Sequence, residues 1–145
     1  MIASTWIRNN AGAILSIGAL MIAGCAGMPS DSRINVVLRG GDEVPPVATA
    51  ANGSGTFTIA ADRSVSGSIS TTGLAGTAAH IHQGARGQNG PVSVGLVKSG
   101  GNAWSVPAGA RLTDAQYDAF KAGNLYVNVH TAANKGGEIR GQLNP

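Results

Sequence analysis

The chain has 145 residues and a formal charge of +3, with 43% apolar, 12% charged and 4% aromatic side chains and 22 glycines. This length holds one domain. Low charge beside so much apolar content excludes a disordered composition, and glycine without a triplet period excludes collagen. Basic residues are scattered along the chain, which argues against nucleic acid as a partner.

In chain order, Arg8 and the apolar run from Ala11 to Ala23 (AGAILSIGALMIA) have the layout of a secretory leader. The run is short for a bilayer span. It ends in Ile22-Ala23-Gly24-Cys25, which resembles the lipobox of bacterial lipoproteins. The resemblance implies a signal peptide over 1–24, cleavage before Cys25 and lipidation of Cys25. By likeness to enterobacterial sorting, Ala26 in the next position implies an outer-membrane anchor with the domain facing the periplasm. Cys25 is also the sole cysteine, so no disulfide can form within the chain. Residues 25–33 (CAGMPSDSR) are mostly small or polar and read as a tether.

From residue 34 on, short runs alternate apolar and polar side chains, the pattern of strands buried on one face. The predicted inward pairs are Val36 with Leu38, Phe57 with Ile59, and Val65 with Ile69. Val92, Val94 and Leu96 follow, then Leu125, Val127 and Val129, and finally Ile139 and Leu143. Glycine-rich stretches separate the runs at the spacing of a β-sandwich or barrel. One helix is predicted near 113–122. Thr113 and Gln116 have capping-box spacing, Leu112 and Tyr117 that of a hydrophobic staple, and Gly123 can end the helix left-handed. Tyr117 and Phe120 share a face and should dock on the barrel. The aromatics beyond the leader are Phe57, Trp104, Tyr117, Phe120 and Tyr126, so the core must be chiefly aliphatic.

Several motifs then occur in order. Leu38-Arg39-Gly40 precedes Asp42-Glu43-Val44-Pro45-Pro46-Val47, and Ala79-His80-Ile81-His82 leads to Gly84, Gly87 and Asn89-Gly90-Pro91-Val92. Leu125-Tyr126-Val127-Asn128-Val129-His130-Thr131 and Gly137-Glu138-Ile139-Arg140-Gly141-Gln142-Leu143 close the chain. Together they resemble the CHRD domain, named for chordin, over about residues 34–145. Lys135 departs from the pattern, at a place where proline would be expected. The resemblance implies an all-β fold, an immunoglobulin-like antiparallel barrel or sandwich used outside the cell, and no enzymatic activity.

All three histidines fall inside these motifs. Side chains two apart on a strand point the same way, so His80 and His82 face opposite to Ile81. By the same parity Tyr126, Asn128 and His130 face opposite to Leu125, Val127 and Val129. If Ile81 and Val129 enter the core, the three imidazoles stand outside the barrel. Whether the two strands are neighbours does not follow from the pattern. If they are, the rings come within reach of one ion.

Imidazole suits copper, zinc and nickel, with copper(II) bound most tightly. A His-x-His pair with a third histidine also resembles the copper half of copper/zinc superoxide dismutase. That enzyme's fourth copper histidine and its zinc ligands have no counterpart here, which argues against dismutase activity. The reading is therefore a lipid-anchored metal-binding module, copper favoured over zinc, with Asn128 and Tyr126 as candidate outer-shell residues. The alternative is a domain that binds an envelope protein or another envelope component, with the histidines bonding the loop Gln83–Pro91. Glu43, Glu138 and Arg140 read as surface ion pairs or loop anchors, Asn89 as part of a structural motif, and Pro45-Pro46 as a stiffener of an edge-strand loop. Gly84, Gly87 and Gly90 lack the Lys-Ser/Thr of a phosphate loop. No catalytic nucleophile, carboxylate pair or triad is marked.

Overall fold

The structure, a computed structural model, describes residues 32–145. The leader, Cys25 and the tether up to residue 31 lie outside the described residues. Eight strands, β1 (Ser32–Arg39), β2 (Asn52–Ile59), β3 (Val65–Thr72), β4 (Gly76–Gln83), β5 (Val92–Gly100), β6 (Ala103–Ser105), β7 (Leu125–Thr131) and β8 (Ile139–Leu143), carry the fold with one helix, α1 (Asp114–Lys121). They close into an antiparallel barrel in the order β1-β2-β3-β6-β5-β4-β7-β8. Of the two architectures that the strand pattern allows, the chain adopts the barrel. β1 starts within the stretch assigned to the tether, since Ser32 and Arg33 already pair with Ile59 and Thr58.

Alternation explains which side chains fill the barrel. Ile34, Val36 and Leu38 from β1, Phe57 and Ile59 from β2, and Val65 and Ile69 from β3 are buried inside. Ile81, Leu96, Leu125, Val127, Val129, Ile139 and Leu143 complete the lining. The three valine and leucine positions predicted on β5 do not all point inward. Val94 and Leu96 do, but Val92 is 51% exposed. The cause is a bulge: Ile81 pairs with Val94 and His82 with Val92, so Ser93 is an extra residue that reverses the parity. A bulge of this kind turns a strand's side chains over locally.

The helix forms as its capping residues dictate. The Thr113 hydroxyl accepts from the Gln116 N–H at 3.2 Å, and the Gln116 side chain accepts from the Thr113 N–H at 2.9 Å. Lys121 in the last turn suits the negative end of the helix dipole. Phe120 and Leu112 are buried, and Tyr117 packs against the same core. α1 leans on β4 and β7. It therefore backs the two strands that carry the histidines.

β8 meets β1 at Arg39 and Arg140, closing the barrel. The approach is tight because Gly141 has no side chain: a Cβ there would collide with the Val37 carbonyl oxygen and the Val36 side chain. Among the described residues closure leaves no edge strand, so Pro45 and Pro46 lie in a loop as read from sequence but not beside an edge. They belong to the loop that follows a 3-10 turn at Gly40–Asp42. There Gly40 accepts backbone hydrogen bonds from Glu43 and Val47. Gly141→Ala is expected to lower stability by about 1–3 kcal/mol, the usual cost of overpacking, as a fall in urea midpoint at unchanged slope. An unchanged midpoint would show that β1 has room to move away.

Candidate metal centre

β4 and β7 are adjacent and antiparallel, with Ala78 opposite His130, His80 opposite Asn128 and His82 opposite Tyr126. Ile81 and Val129 are both completely buried in the core. The intervening side chains thus point away from the barrel axis, and one ligand atom from each of His80, His82 and His130 lies within 4.8 Å of the others. The His80 and His130 ring centroids are 4.9 Å apart, and the His80 and His82 centroids 5.5 Å.

Two of the rings have one nitrogen committed. His82 Nδ1 is 2.9 Å from the Gly90 carbonyl oxygen, and His130 Nδ1 is 2.9 Å from that of Lys135. A carbonyl only accepts, so both rings carry their hydrogen on Nδ1 and keep a bare lone pair on Nε2. This is the arrangement that orients imidazole ligands in metal sites. His80 Nδ1 lies 3.0 Å from His130 Nε2, so in the neutral cluster His80 donates to His130. His80 has no carbonyl partner, which leaves its tautomer free to change. The His82 Nε2 atom is buried with no hydrogen-bond partner.

Burial and the neighbouring imidazoles disfavour positive charge on His80 and His82. The His80 imidazole is held below its ordinary value by burial, then by His130 and His82. Burial likewise lowers His82, against the pull of the Gly90 carbonyl. His80 and His82 are thus disposed to be neutral nitrogen donors.

The surroundings are more enclosed than a polar strand face implies. Tyr126 and Asn128 are 2% and 1% exposed. Tyr126 lies flat on His82, with centroids 5.0 Å apart and planes 5° from parallel. Arg140 covers the Tyr126 ring from 3.3 Å. Its guanidinium donates to the Gln88 and Ala85 carbonyls at 2.9 and 3.1 Å and to Asn89 Oδ1 at 3.3 Å. Asn89 in turn donates to the Val44 carbonyl at 2.8 Å. Arg140 therefore anchors the loop that supplies the Gly90 carbonyl to His82. Of the two readings from sequence the loop anchor is the one observed and the surface ion pair is not: Arg140 is buried, its donors need acceptors once removed from water, and the loop carbonyls supply them.

For Glu43, too, the surface ion pair is the reading that burial overturns. It is 4% exposed, and its Oε1 has no hydrogen-bond partner. Burial pushes its carboxyl up to about 7, against the opposing charge of Arg140. The absence of a side chain at Gly137 makes room for it, because a Cβ there would overlap Glu43 Oε1 and crowd Asn128 Nδ2 at 2.6 Å. Glu138 is a loop anchor, accepting from the Thr49 and Thr131 hydroxyls at 2.9 and 2.6 Å. The Thr131 hydroxyl, its shorter partner, keeps that carboxyl below the ordinary range. Parity sets the three histidines on the outward side of their strands and the pairing of β4 with β7 brings them together, whereas burial of Glu43 and Arg140 depends on loops whose paths leave no periodic signal. Their occurrence within the ordered motifs was the one available sign.

A family model described as the CHRD domain matches residues 34–143. The chain belongs to the CHRD domain family. No curated protein and no solved structure shows a significant match. The family match covers every strand of the barrel bar the first two residues of β1, and so includes His80, His82 and His130 together with Glu43, Asn89, Asn128 and Arg140. Lys135, the departure from the CHRD pattern noted above, serves through its backbone: its carbonyl holds His130, which does not require a particular side chain.

Glu43 yields a pH-dependent contribution to stability whose sign follows from its shift. The carboxyl titrates near 4.5 in its ordinary state and about 7 in the folded chain. The folded state therefore binds the proton more tightly, and stability from this group is complete below the lower value and lost as pH rises through the higher one. Glu43→Gln, fixed in the neutral form, is expected to gain on the parent by on the order of 2 kcal/mol across that window. Urea unfolding at a series of pH values reads the difference. A constant difference from pH 4 to 8 would contradict a raised Glu43.

Proposed function

We propose that this CHRD protein is a lipid-anchored, periplasm-facing module of the bacterial envelope, and that it takes up a transition-metal ion through His80, His82 and His130. Copper is favoured over zinc because all three donors are imidazoles, and copper(II) leads the divalent series for such ligands. The observation that carries the reading is the locking of two rings by backbone carbonyls, which leaves Nε2 of each unprotonated, in a trio whose ligand atoms lie within 4.8 Å of one another. Donors bound to one ion at about 2 Å stand up to about 4 Å apart. Small side-chain rotations close the present cluster to that size, and the His80–His130 hydrogen bond gives way to bonds to the ion.

The anchor in this reading is Cys25, placed by the Ile22-Ala23-Gly24-Cys25 run at the end of an apolar leader. Ala26 behind it favours the outer membrane. The role is metal buffering or delivery rather than catalysis, since the chain offers no nucleophile constellation and lacks the further ligands of a dismutase.

The contacts from His82 to Gly90 and from His130 to Lys135 favour a second reading. There the histidines hold loops in shape, and the domain binds an envelope protein without any ion. His80 separates the two, because it touches no loop carbonyl. Titrating the mature domain with copper(II) is expected to load one ion per chain. At a hundredfold excess over Kd the bound ion adds about 2.7 kcal/mol, on the order of 10 °C in Tm. His80→Ala is expected to abolish that rise while leaving metal-free Tm within about 2 °C of the parent, as for a substitution remote from any anchor. Equal, weak uptake by the parent and by a His80/His82/His130 triple alanine variant would overturn the metal reading.

A further inference from the structure

Asn128 occupies the fourth corner of the histidine cluster. It faces His80 across the strands, precedes His130 by two residues on β7, and lies diagonal to His82. Its side chain is 1% exposed. The Gly136 carbonyl, 3.3 Å from Nδ2, can only accept, so the amide nitrogen must face it and Oδ1 is turned the other way. There Oδ1 is buried and receives no hydrogen bond, and His82 Nε2 is in the same condition.

With no proton on His82 Nε2, two buried lone pairs on neighbouring strands face no donor; a proton there would bond Asn128, and a metal ion can take that proton's place. Each unmet buried acceptor lowers the stability of the fold. Buried acceptors of this kind call for a water or an ion between them. A water can satisfy two acceptors. An ion satisfies these two and also binds the nitrogens of His80 and His130, which lie on the same patch.

We propose that Asn128 Oδ1 is the fourth donor to the ion held by His80, His82 and His130, completing a set of three nitrogens and one oxygen that selects a divalent ion over copper(I). The proposal rests on the metal reading above and adds selectivity to it. Imidazole accommodates both oxidation states of copper, whereas a carboxamide oxygen is a hard donor that strengthens binding of copper(II) or zinc and does little for the soft monovalent ion. Gly136 then acts through Asn128, since its carbonyl holds the amide with the oxygen presented to the ion.

The test compares the lipid-free domain with Asn128→Ala and Asn128→Asp, titrated with copper(II) and, against a chromogenic chelator, with copper(I). The alanine variant is expected to bind copper(II) at least tenfold more weakly, the loss that even an outer-shell partner carries, and copper(I) within about twofold of the parent. The aspartate variant keeps an oxygen donor and is expected to retain copper(II). Electron paramagnetic resonance of the alanine variant should show changed copper parameters with the same number of coupled nitrogens. A readout needing no variant is the Asn128 carboxamide carbon in 13C NMR, which is expected to shift when the parent is loaded with zinc.

An alanine variant that binds copper(II) like the parent, an equal loss for both oxidation states, or a carboxamide carbon that does not move would each overturn the fourth donor. The first of these is the result expected if the gap holds only a water. Failure of the parent itself to bind would remove the metal reading along with it.

Discussion

The register between β4 and β7 is the constraint on which the site depends. With His80 set opposite Asn128, the outward positions of the two strands bring three imidazoles and one amide to a single patch. A slip of one residue would send Ile81 or Val129 outward and the histidines into the core. Both apolar residues are completely buried, so the hydrophobic term that fills the barrel also holds the polar cluster in place. The helix adds to this restraint, since its Phe120 and the neighbouring Leu112 are part of the same core and α1 leans on both strands. Packing on one side of the sheet thus defines chemistry on the other.

Loops make the patch an enclosed site. Arg140 stacks on Tyr126, Tyr126 stacks on His82, and His82 bonds the loop that Arg140 itself anchors. This circuit couples the orientation of a candidate ligand to a buried cation on β8. A second loop, residues 132–138, supplies the Lys135 carbonyl to His130 and the Gly136 carbonyl to Asn128. Glu43 lies against Gly137 in that same loop. Backbone carbonyls therefore orient two imidazoles and the amide, an arrangement tolerant of side-chain change at the loop positions that provide them.

Much of the barrel was legible in the chain because strand alternation has a period of two and the buried positions obey it. The helix was equally clear, since Thr113 and Gln116 make the reciprocal bonds that their spacing implies. The pattern failed at Val92, where one extra residue in β5 reverses the parity and no local signal marks the bulge. At the site, parity placed the three histidines on one side of their strands, but adjacency of β4 and β7 is a property of topology. The burial of Glu43 and Arg140 was hidden for the same reason. Both are charged, a class mostly exposed, and only the paths of two loops take them out of water.

Backbone carbonyls lock His82 and His130 with hydrogen on Nδ1 and leave Nε2 unprotonated, and in the proposed metal reading both Nε2 atoms bind one ion. Long-range 1H–15N correlation of the histidine rings measures this directly. In the metal-free domain near pH 7.5, both rings should show the pattern of a protonated Nδ1 and an unprotonated Nε2. On adding zinc, both Nε2 resonances should move into the metal-bound range. Protonation of Nε2 in either ring of the metal-free protein, or Nε2 resonances that zinc leaves in place, would contradict the account.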